Sequence, residues 1–240
     1  MNLIVLQQED LVTATRARVS GRRYRHLIAV LKAAVGKTFD VGMLNGRIGK
    51  GTVAAVDASH LDMDIQLDRH PPAAPAVTVV LALPRPKVLR RIIFSLTVLG
   101  IKRIILVNSA RVEKSYWQTP FLEPEAVRNQ LLLGLEQAGD TLLPQIMLRD
   151  RFKPFVEDEL PGLAKGSVFL VADPHAEPFC PCSGDQSATL VIGPEGGFVP
   201  FEIELLASVG ALPVRISHRI LNVETAVPTA IAHIVGQCNC

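Results

Sequence analysis

From Val77 to Gly236, apolar residues follow two alternating patterns. Unbroken apolar runs, typical of buried strands, alternate with segments in which apolar residues recur every three or four positions, typical of helices. Strands that alternate with helices form a parallel sheet covered on both faces. The predicted strands are Val77–Leu83, Ile104–Val107, Gln145–Leu148, Ser167–Ala172, Thr189–Ile192 and Leu212–Arg215, and the predicted helices are Lys87–Leu99, Glu125–Ala138, Phe201–Ser208 and Glu224–Gly236.

The first 70 residues instead show short strand-like runs broken by glycine. These runs are LIVL, TFDVGM, NGRIGKGTVAAV and HLDMDIQL, and Asn45-Gly46 is a strong hairpin signal. Tyr24–Ala33 carries apolar residues at helical spacing. The proline-rich segment Asp68–Ala76, DRHPPAAPA, marks the domain boundary. We therefore expect an α/β chain, with a small β-barrel at residues 1–70 and a parallel-sheet domain at residues 77–240.

The distribution of charge changes this picture near the N-terminus. The chain as a whole carries a net charge of +2, but the segment RARVSGRRYRH contains five arginines. Arginines neutralise phosphates and a tyrosine stacks on bases, so the cluster indicates RNA contact. A solvated face is the alternative interpretation. The predicted RNA-binding residues are Arg16, Arg18, Arg22, Arg23, Tyr24 and Arg25.

Other features exclude some classes of protein. The N-terminus MNLIVLQQEDLV lacks the basic start of a signal peptide, and no apolar run reaches the roughly 18 residues that cross a bilayer. We therefore expect a cytoplasmic protein without a membrane partner. The four cysteines form two C-x-C pairs, Cys180/Cys182 and Cys238/Cys240, whereas structural zinc sites use C-x2–4-C spacing. Free thiols and no metal site are expected.

Two segments have the sequence of ligand-binding loops. IGPEGGF, Ile192–Phe198, follows a predicted buried strand and precedes a helix, and its glycines leave room for a ligand against the backbone. It matches neither GxxxxGK[ST] nor GxGxxG, so a nucleotide-phosphate loop is not indicated. A tight strand–helix turn is the alternative. RISHRILNVETA, Arg215–Ala226, also joins a strand to a helix, and Glu224 and Thr225 are suitable helix-start residues.

GPEGGF followed about twenty residues later by RILNVETA resembles the SPOUT superfamily of methyltransferases. The similarity is greatest to the RsmE-type family, which methylates N3 of a uridine in 16S ribosomal RNA. RHLIAVLKAAVGKTFDVGMLNG also resembles the barrel segment of that family, more weakly. The resemblance implies an N-terminal PUA-like barrel, a C-terminal α/β domain tied in a trefoil knot, and a homodimer that acts on ribosomal RNA or the small subunit.

The resemblance also implies S-adenosylmethionine as the cofactor. Both motif loops, together with the loop after Phe169–Ala172, are expected to enclose it through main-chain groups. Pro194 is expected to fix the bend, and Glu195 either organises the loop or faces the substrate. The implied cofactor-binding residues are Ala172, Gly193, Pro194, Glu195, Gly196, Gly197, Ile216, Ile220, Leu221, Asn222, Val223, Thr225 and Ala226.

Methyl transfer requires an in-line uracil nitrogen whose proton is removed or stabilised. The predicted catalytic residues are Arg111, Gln137, Glu195 and Arg219, and Glu136, Asn222 and Glu224 are further candidates. Some positions depart from the family pattern: Ser95 and Val98 replace Lys and Glu, and Ser217, His218 and Asn222 replace Leu, Gly and Arg. A SPOUT enzyme with another target, such as a ribose 2′-hydroxyl, and an RNA-binding protein without turnover therefore stay as alternatives.

Overall fold

The computed structural model describes residues 2–184 and 186–236. The chain divides into two compact units. The first contains the N-terminal 73 residues together with residues 132–143, and the second contains the rest of the chain. The proline-rich segment therefore lies at the division, and residues 132–143 are an addition to the first unit that the sequence pattern did not indicate.

The first unit is built on a mixed six-stranded sheet with the order β1-β4-β5-β6-β3-β2. Its strands are β1 (Ile4–Leu6), β2 (Leu11–Thr13), β3 (Arg16–Ser20), β4 (Thr38–Met43), β5 (Ile48–Val56) and β6 (His60–Arg69). Apart from the parallel β1–β4 pair, the strand pairs are antiparallel. One apolar cluster includes Leu6, Leu27, Leu61 and Met63, all fully buried.

The Asn45-Gly46 hairpin prediction is confirmed. These residues connect β4 to β5, and Asn45 takes a positive φ of 58°, which asparagine tolerates. The helix expected at Tyr24–Ala33 is shifted: helix α1 runs from Gly21 to Ala29. It ends early because Lys32 has a φ of 53°, in the left-handed region that cannot continue a right-handed helix.

The arginine-rich segment contains a strand that its sequence pattern did not predict. Residues 16–20 form β3 and alternate exposed arginine or serine with buried Ala17 and Val19. This period of two is the pattern of a strand with one buried face. The charge of the segment obscured that pattern.

The second unit contains an all-parallel six-stranded sheet with the order β12-β10-β11-β7-β8-β9. The strands are β7 (Val77–Ala82), β8 (Arg103–Val107), β9 (Gln145–Arg149), β10 (Val168–Ala172), β11 (Ala188–Ile192) and β12 (Leu212–Val214). The predicted alternation of strands and helices is confirmed. β7 and β11 are buried along their whole lengths, as central strands covered on both faces should be.

Helices connect these strands. The longer ones are α2 (Pro86–Val98), α3 (Pro124–Ala138), α6 (Pro200–Ser208) and α7 (Val223–Val235). Residues 132–138 of α3 are counted in the first unit. A helical segment without a sequence prediction consists of α4 (Phe152–Pro154), a π-helix at Phe155–Glu159 and α5 (Leu160–Ala164). Short 3₁₀ turns lie at Gln8–Asp10, Lys114–Gln118 and Pro120–Leu122. Within the described ranges, no helix combines the length and hydrophobicity that spanning a membrane requires.

Candidate active site

The second unit has a cavity at the carboxyl ends of β10, β11 and β12. Its volume is about 270 Å³, close to the lower end of typical ligand cavities, which hold about 300–1,000 Å³. Ligands of parallel sheets bind at this edge, because the strand-to-helix loops converge there. Most of the lining comes from the loops that follow these strands, which supply residues 172–175, 192–198, 215–217, 219–221 and 223.

The loop after β11 is held in a tight reversal. Gly197 N donates to Pro194 O at 2.8 Å, and Gly197 has a φ of 70°, which favours glycine. A Cβ on Gly193 would lie 3.1 Å from Phe198 N, closer than side chains normally approach backbone. Glu195 Oε1 accepts a hydrogen bond from Arg85 N at 2.9 Å. The loop thus has little freedom to open.

Arg111 lies over this loop, on the segment that follows β8. Its guanidinium donates to Gly196 O, and a Cβ on Gly196 would lie 3.0 Å from Arg111 Cδ. The buried Glu202 of α6 holds the same segment, because its Oε1 accepts from Ala110 N at 2.7 Å and its Oε2 accepts from Val199 N at 3.0 Å. Two main-chain segments beside the cavity are therefore fixed by one carboxylate.

Farther along the same loop, Tyr116 Oη donates to Glu113 Oε1 at 3.0 Å. Burial, reinforced by this hydrogen bond, raises the pKa of the Tyr116 phenol. The phenol therefore stays protonated at neutral pH and keeps its donor.

The loop between β12 and α7 supplies the apolar side of the cavity through Ile216, Ile220, Leu221 and Val223. Asn222 is the N-cap of α7: its Oδ1 accepts from Thr225 N at 2.8 Å. Glu224 and Thr225 were the residues expected to cap this helix. Asn222 caps it instead, because its side chain reaches a free N–H group of the first turn. Glu224 forms an ion pair with Arg91 at 3.0 Å.

Most of the predicted cofactor residues line this cavity. They are Ala172, Gly193, Pro194, Glu195, Gly196, Gly197, Ile216, Ile220, Leu221, Val223 and Ala226, and the predicted catalytic residues Arg111 and Arg219 join them. Asn222 and Thr225 do not line it and instead form the start of α7. Gln137 and Glu136 belong to the first unit, where both Glu136 carboxylate oxygens accept from Arg22 Nη2.

Several residues that line the cavity were not predicted from the sequence. Arg215 is one of them, and so are Asp173, His175, Phe198 and Ser217. A signal for Arg215 was present: it is the first charged residue after the apolar strand LPV, at the start of the second candidate loop. Its Nε is buried and, among the described residues, has no hydrogen-bond partner.

The arginine cluster of the first unit is largely ion-paired. The pairs are Arg16–Asp64, Arg18–Asp62, Arg22–Glu136 and Arg23–Asp10. The hydrogen bond from Arg18 is the main reason why the pKa of Asp62 lies below its usual value. The side chain of Arg23 is only 15% exposed, whereas about half of the Arg16, Arg18 and Arg22 side chains face solvent. Arg25 is exposed and has no ion-pair partner within residues 2–184 and 186–236.

Cys180 is a buried free thiol, and Cys182 Sγ donates to Gly236 O at 2.6 Å. Burial raises the pKa of the Cys180 thiol to about 11, so the thiol stays protonated at neutral pH. Among the described residues, His, Cys, Asp and Glu side chains form no group of three or more that could hold a metal. The second C-x-C pair, Cys238/Cys240, lies outside the described residues.

The fold and the cavity agree with the family comparison. The family model described as "RNA methyltransferase domain" matches residues 71–235, which is more than half of the chain and includes the cavity-lining residues of the second unit. The chain therefore belongs to this family of RNA methyltransferase domains.

Particular relatives extend the match to nearly the whole chain. The chain is 28% identical to the ribosomal RNA small subunit methyltransferase E of Treponema pallidum, over 100% of this chain and 92% of that protein. It is also 28% identical to the protein of the same name from Mycobacterium bovis, over 92% of this chain and 87% of that protein. Its fold matches the Neisseria gonorrhoeae methyltransferase E bound to S-adenosylmethionine, with a TM-score of 0.76, 18% identity and coverage of 97% and 95%.

Proposed function

We propose that the protein is an S-adenosylmethionine-dependent methyltransferase that modifies N3 of a uridine in the 16S RNA of the small ribosomal subunit. The observation that carries the proposal is the cavity at the carboxyl ends of β10, β11 and β12. It is bounded by the two sequence segments on which the family resemblance rests, IGPEGGF and RISHRILNVETA. The names of the relatives and the cofactor in the Neisseria structure support the same reaction class.

The residues around the cavity fit this cofactor. Apolar side chains form one wall, and in the described part of the chain the amides of Gly196 and Leu221 donate to no protein acceptor. Free main-chain donors beside apolar side chains suit an adenine ring, which combines flat apolar faces with acceptor nitrogens. Arg215 lines the cavity, and its guanidinium forms no ion pair or hydrogen bond to the described residues, which favours a ligand with an acceptor group.

Bound S-adenosylmethionine supplies a methyl group on a positively charged sulfur. The chain must hold the uracil ring in line with that group and manage the N3 proton. Arg111 and Arg219 both line the cavity and both are exposed, so they can reach a base that enters from solvent. As N3 loses its proton, negative charge develops on the uracil oxygens, and an arginine donor stabilises it. Gln137 stays a prediction without a role assigned by geometry.

We assign RNA contact in the first unit to Arg16, Arg18, Arg22 and Arg25. The first three keep about half of their side chains in solvent although they are paired, and Arg25 is exposed and unpaired within the described ranges. Arg23 and Tyr24 contribute less directly. Arg23 is mostly buried and paired with Asp10, and Tyr24 Oη donates to Asp57 O at 2.6 Å. These contacts fit a structural role for Arg23 and Tyr24, in which they hold the first unit in the conformation that exposes the other four arginines.

We also infer a homodimer that acts in the cytoplasm, where its ribosomal substrate is found. Ile220 supports the dimer, because its side chain is 83% exposed although the residue belongs to a loop that lines the cavity. A second chain that covers this loop would remove the apolar side chain from water, which would stabilise the dimer. Light scattering coupled to size exclusion tests this: a monomer at micromolar concentration would contradict it.

Mass spectrometry of nucleosides tests the proposed reaction. Ribosomal RNA from a strain that lacks the gene should contain less 3-methyluridine, and complementation with the wild-type gene should restore it. Complementation with an Arg219→Ala variant should restore less, since it removes a cation from the cavity edge. Unchanged 3-methyluridine in the deletion strain would reject the proposed target. Loss of a ribose-methylated nucleoside instead would favour the alternative SPOUT activity.

A further inference from the structure

Arg215 is held in one orientation beside the cavity. Its N donates to Pro178 O at 2.7 Å, and its O accepts from Cys180 N at 2.8 Å, so the backbone is fixed on both sides of the residue. Its guanidinium carbon lies 4.4 Å from the centre of the Phe179 ring. The His218 ring packs edge-on against the same ring, at 4.6 Å. A guanidinium stacked on an aromatic face retains its in-plane N–H donors for other partners.

Those donors lack a protein partner of opposite charge. Within the described ranges, no carboxylate lies within ion-pair distance of Arg215, and its Nε is buried without an acceptor. A buried donor without an acceptor costs free energy, and native proteins rarely leave one unless a ligand or water completes it. Arg215 is also a cavity-lining residue. Its Nη groups also form no hydrogen bond to the described residues and are not buried, so these donors can take an acceptor from the cavity.

The two carboxylates in the cavity wall are already engaged elsewhere. Asp173 Oδ1 accepts from His175 N at 2.9 Å, and Glu195 Oε1 accepts from Arg85 N at 2.9 Å. The other cation of the wall with a fixed position, Arg111, donates to Gly196 O. Arg215 is thus the wall cation that is both positioned and unpaired among the described residues.

We propose that Arg215 binds the carboxylate of the methionine moiety of S-adenosylmethionine, an inference that rests on the proposed function. The sulfonium and the α-ammonium of that molecule are positive, so its carboxylate is the group that complements a guanidinium. A carboxylate accepts two parallel N–H groups from an arginine, which gives direction as well as charge. Arg215 therefore selects for the amino-acid end of the cofactor and fixes its orientation.

Calorimetry with two matched ligands tests this assignment. S-adenosylmethionine and decarboxylated S-adenosylmethionine differ in the carboxylate alone. The wild-type protein should prefer the complete cofactor by about 10- to 100-fold, the range that charged hydrogen bonds provide. Arg215→Met, which keeps an unbranched side chain on Phe179, should reduce that preference to about threefold or less while affinity for the decarboxylated ligand changes little. Arg215→Lys should retain part of the preference because it retains the charge.

Arg103→Met is the matched control, because Arg103 is an exposed arginine at the amino end of β8, away from the cavity-lining residues. It should leave both affinities unchanged. Equal losses for both ligands in Arg215→Met would show a merely structural role, and no loss for either would also overturn the assignment. A loss of RNA affinity alone would assign Arg215 to a phosphate. Failure of the wild-type protein to bind either ligand would instead reject the proposed cofactor.

Discussion

Glu195 Oε1 accepts a hydrogen bond from Arg85 N at 2.9 Å. The contact links the loop after β11 to the start of α2, two segments that are 110 residues apart in sequence. Both follow strands that are neighbours in the sheet, β7 and β11. The carboxylate of the GPEGGF segment thus has a structural partner and holds the glycine loop at its rim.

This contact predicts different results for two substitutions of Glu195. Glu195→Ala removes the acceptor and should weaken S-adenosylmethionine binding roughly fivefold, equivalent to about 1 kcal/mol for one hydrogen bond. Glu195→Gln keeps an acceptor oxygen and should stay within about threefold of wild type in both affinity and kcat. Calorimetry and a methyl-transfer assay measure the two quantities. If Glu195→Gln binds cofactor normally but loses its turnover, Glu195 is the proton acceptor and not an organiser of the loop.

The glycines of the same loop should not tolerate alanine. Gly197→Ala places a side chain at a φ of 70°, which costs about 1–2 kcal/mol, and Gly193→Ala brings a Cβ to 3.1 Å from Phe198 N. Both variants should lower cofactor affinity at least tenfold, because the loop must move away from its present path. Gly162→Ala is the control: it lies in α5 with nothing within 4 Å, and alanine should leave binding unchanged. Normal affinity in Gly193→Ala and Gly197→Ala would show that the loop does not shape the cavity.

Much of the second unit could be predicted because its strands are short continuous apolar runs. The bounds of β7, β8, β10 and β11 lie within one residue of the predicted bounds. Strands buried on both faces contain few polar residues, so they appear in the sequence as continuous apolar runs. The loops of the cavity were predicted through their glycines and their place after strands. The trefoil knot and the homodimer stay predictions from the resemblance.

Other features could not be predicted because they depend on partners distant in sequence. β3 was hidden by arginines whose pairing carboxylates, Asp62 and Asp64, lie more than 40 residues away on β6. Arg215 was not predicted because the ring that holds its guanidinium belongs to Phe179, in a different segment. A β-bridge between the two residues brings them together. Asn222 was interpreted as a cofactor residue, but it caps the start of α7. Asparagine is one of the residues preferred at that position of a helix.

The arginine cluster should separate into a structural and an RNA-binding part. Arg23→Ala leaves the buried Asp10 carboxylate without its guanidinium partner and should lower the free energy of unfolding by about 3 kcal/mol. Arg25→Ala removes an exposed cation, so it should leave the urea unfolding transition unchanged. It should reduce RNA affinity and lower the slope of log affinity against log salt by about 1. If Arg25→Ala binds RNA with the wild-type salt dependence, the RNA surface lies elsewhere.

Cys180 should make the protein less stable in alkali. Burial raises the pKa of its thiol to about 11 in the folded chain, from an ordinary value of 9.0. The unfolded chain therefore loses this proton at lower pH than the folded chain, and stability is retained below pH 9 and declines as the pH rises toward 11. The shift of about two pKa units sets an upper limit of about 2.7 kcal/mol, and partial solvent access at the thiol should reduce the loss to about 1–2 kcal/mol.

Comparison with Cys180→Ala isolates this contribution, since alanine has no proton to lose while lysines and tyrosines titrate in both proteins. Urea unfolding at pH 8 and pH 10.5 should show a smaller decline in Cys180→Ala than in wild type. Peptide mapping after iodoacetamide treatment gives a second measurement. At pH 8 a thiol with a pKa of about 11 has roughly a hundredth of the thiolate of one at 9, so Cys180 should react about a hundredfold more slowly than a free peptide thiol. Equal rates would mean that Cys180 is not shielded in the folded protein.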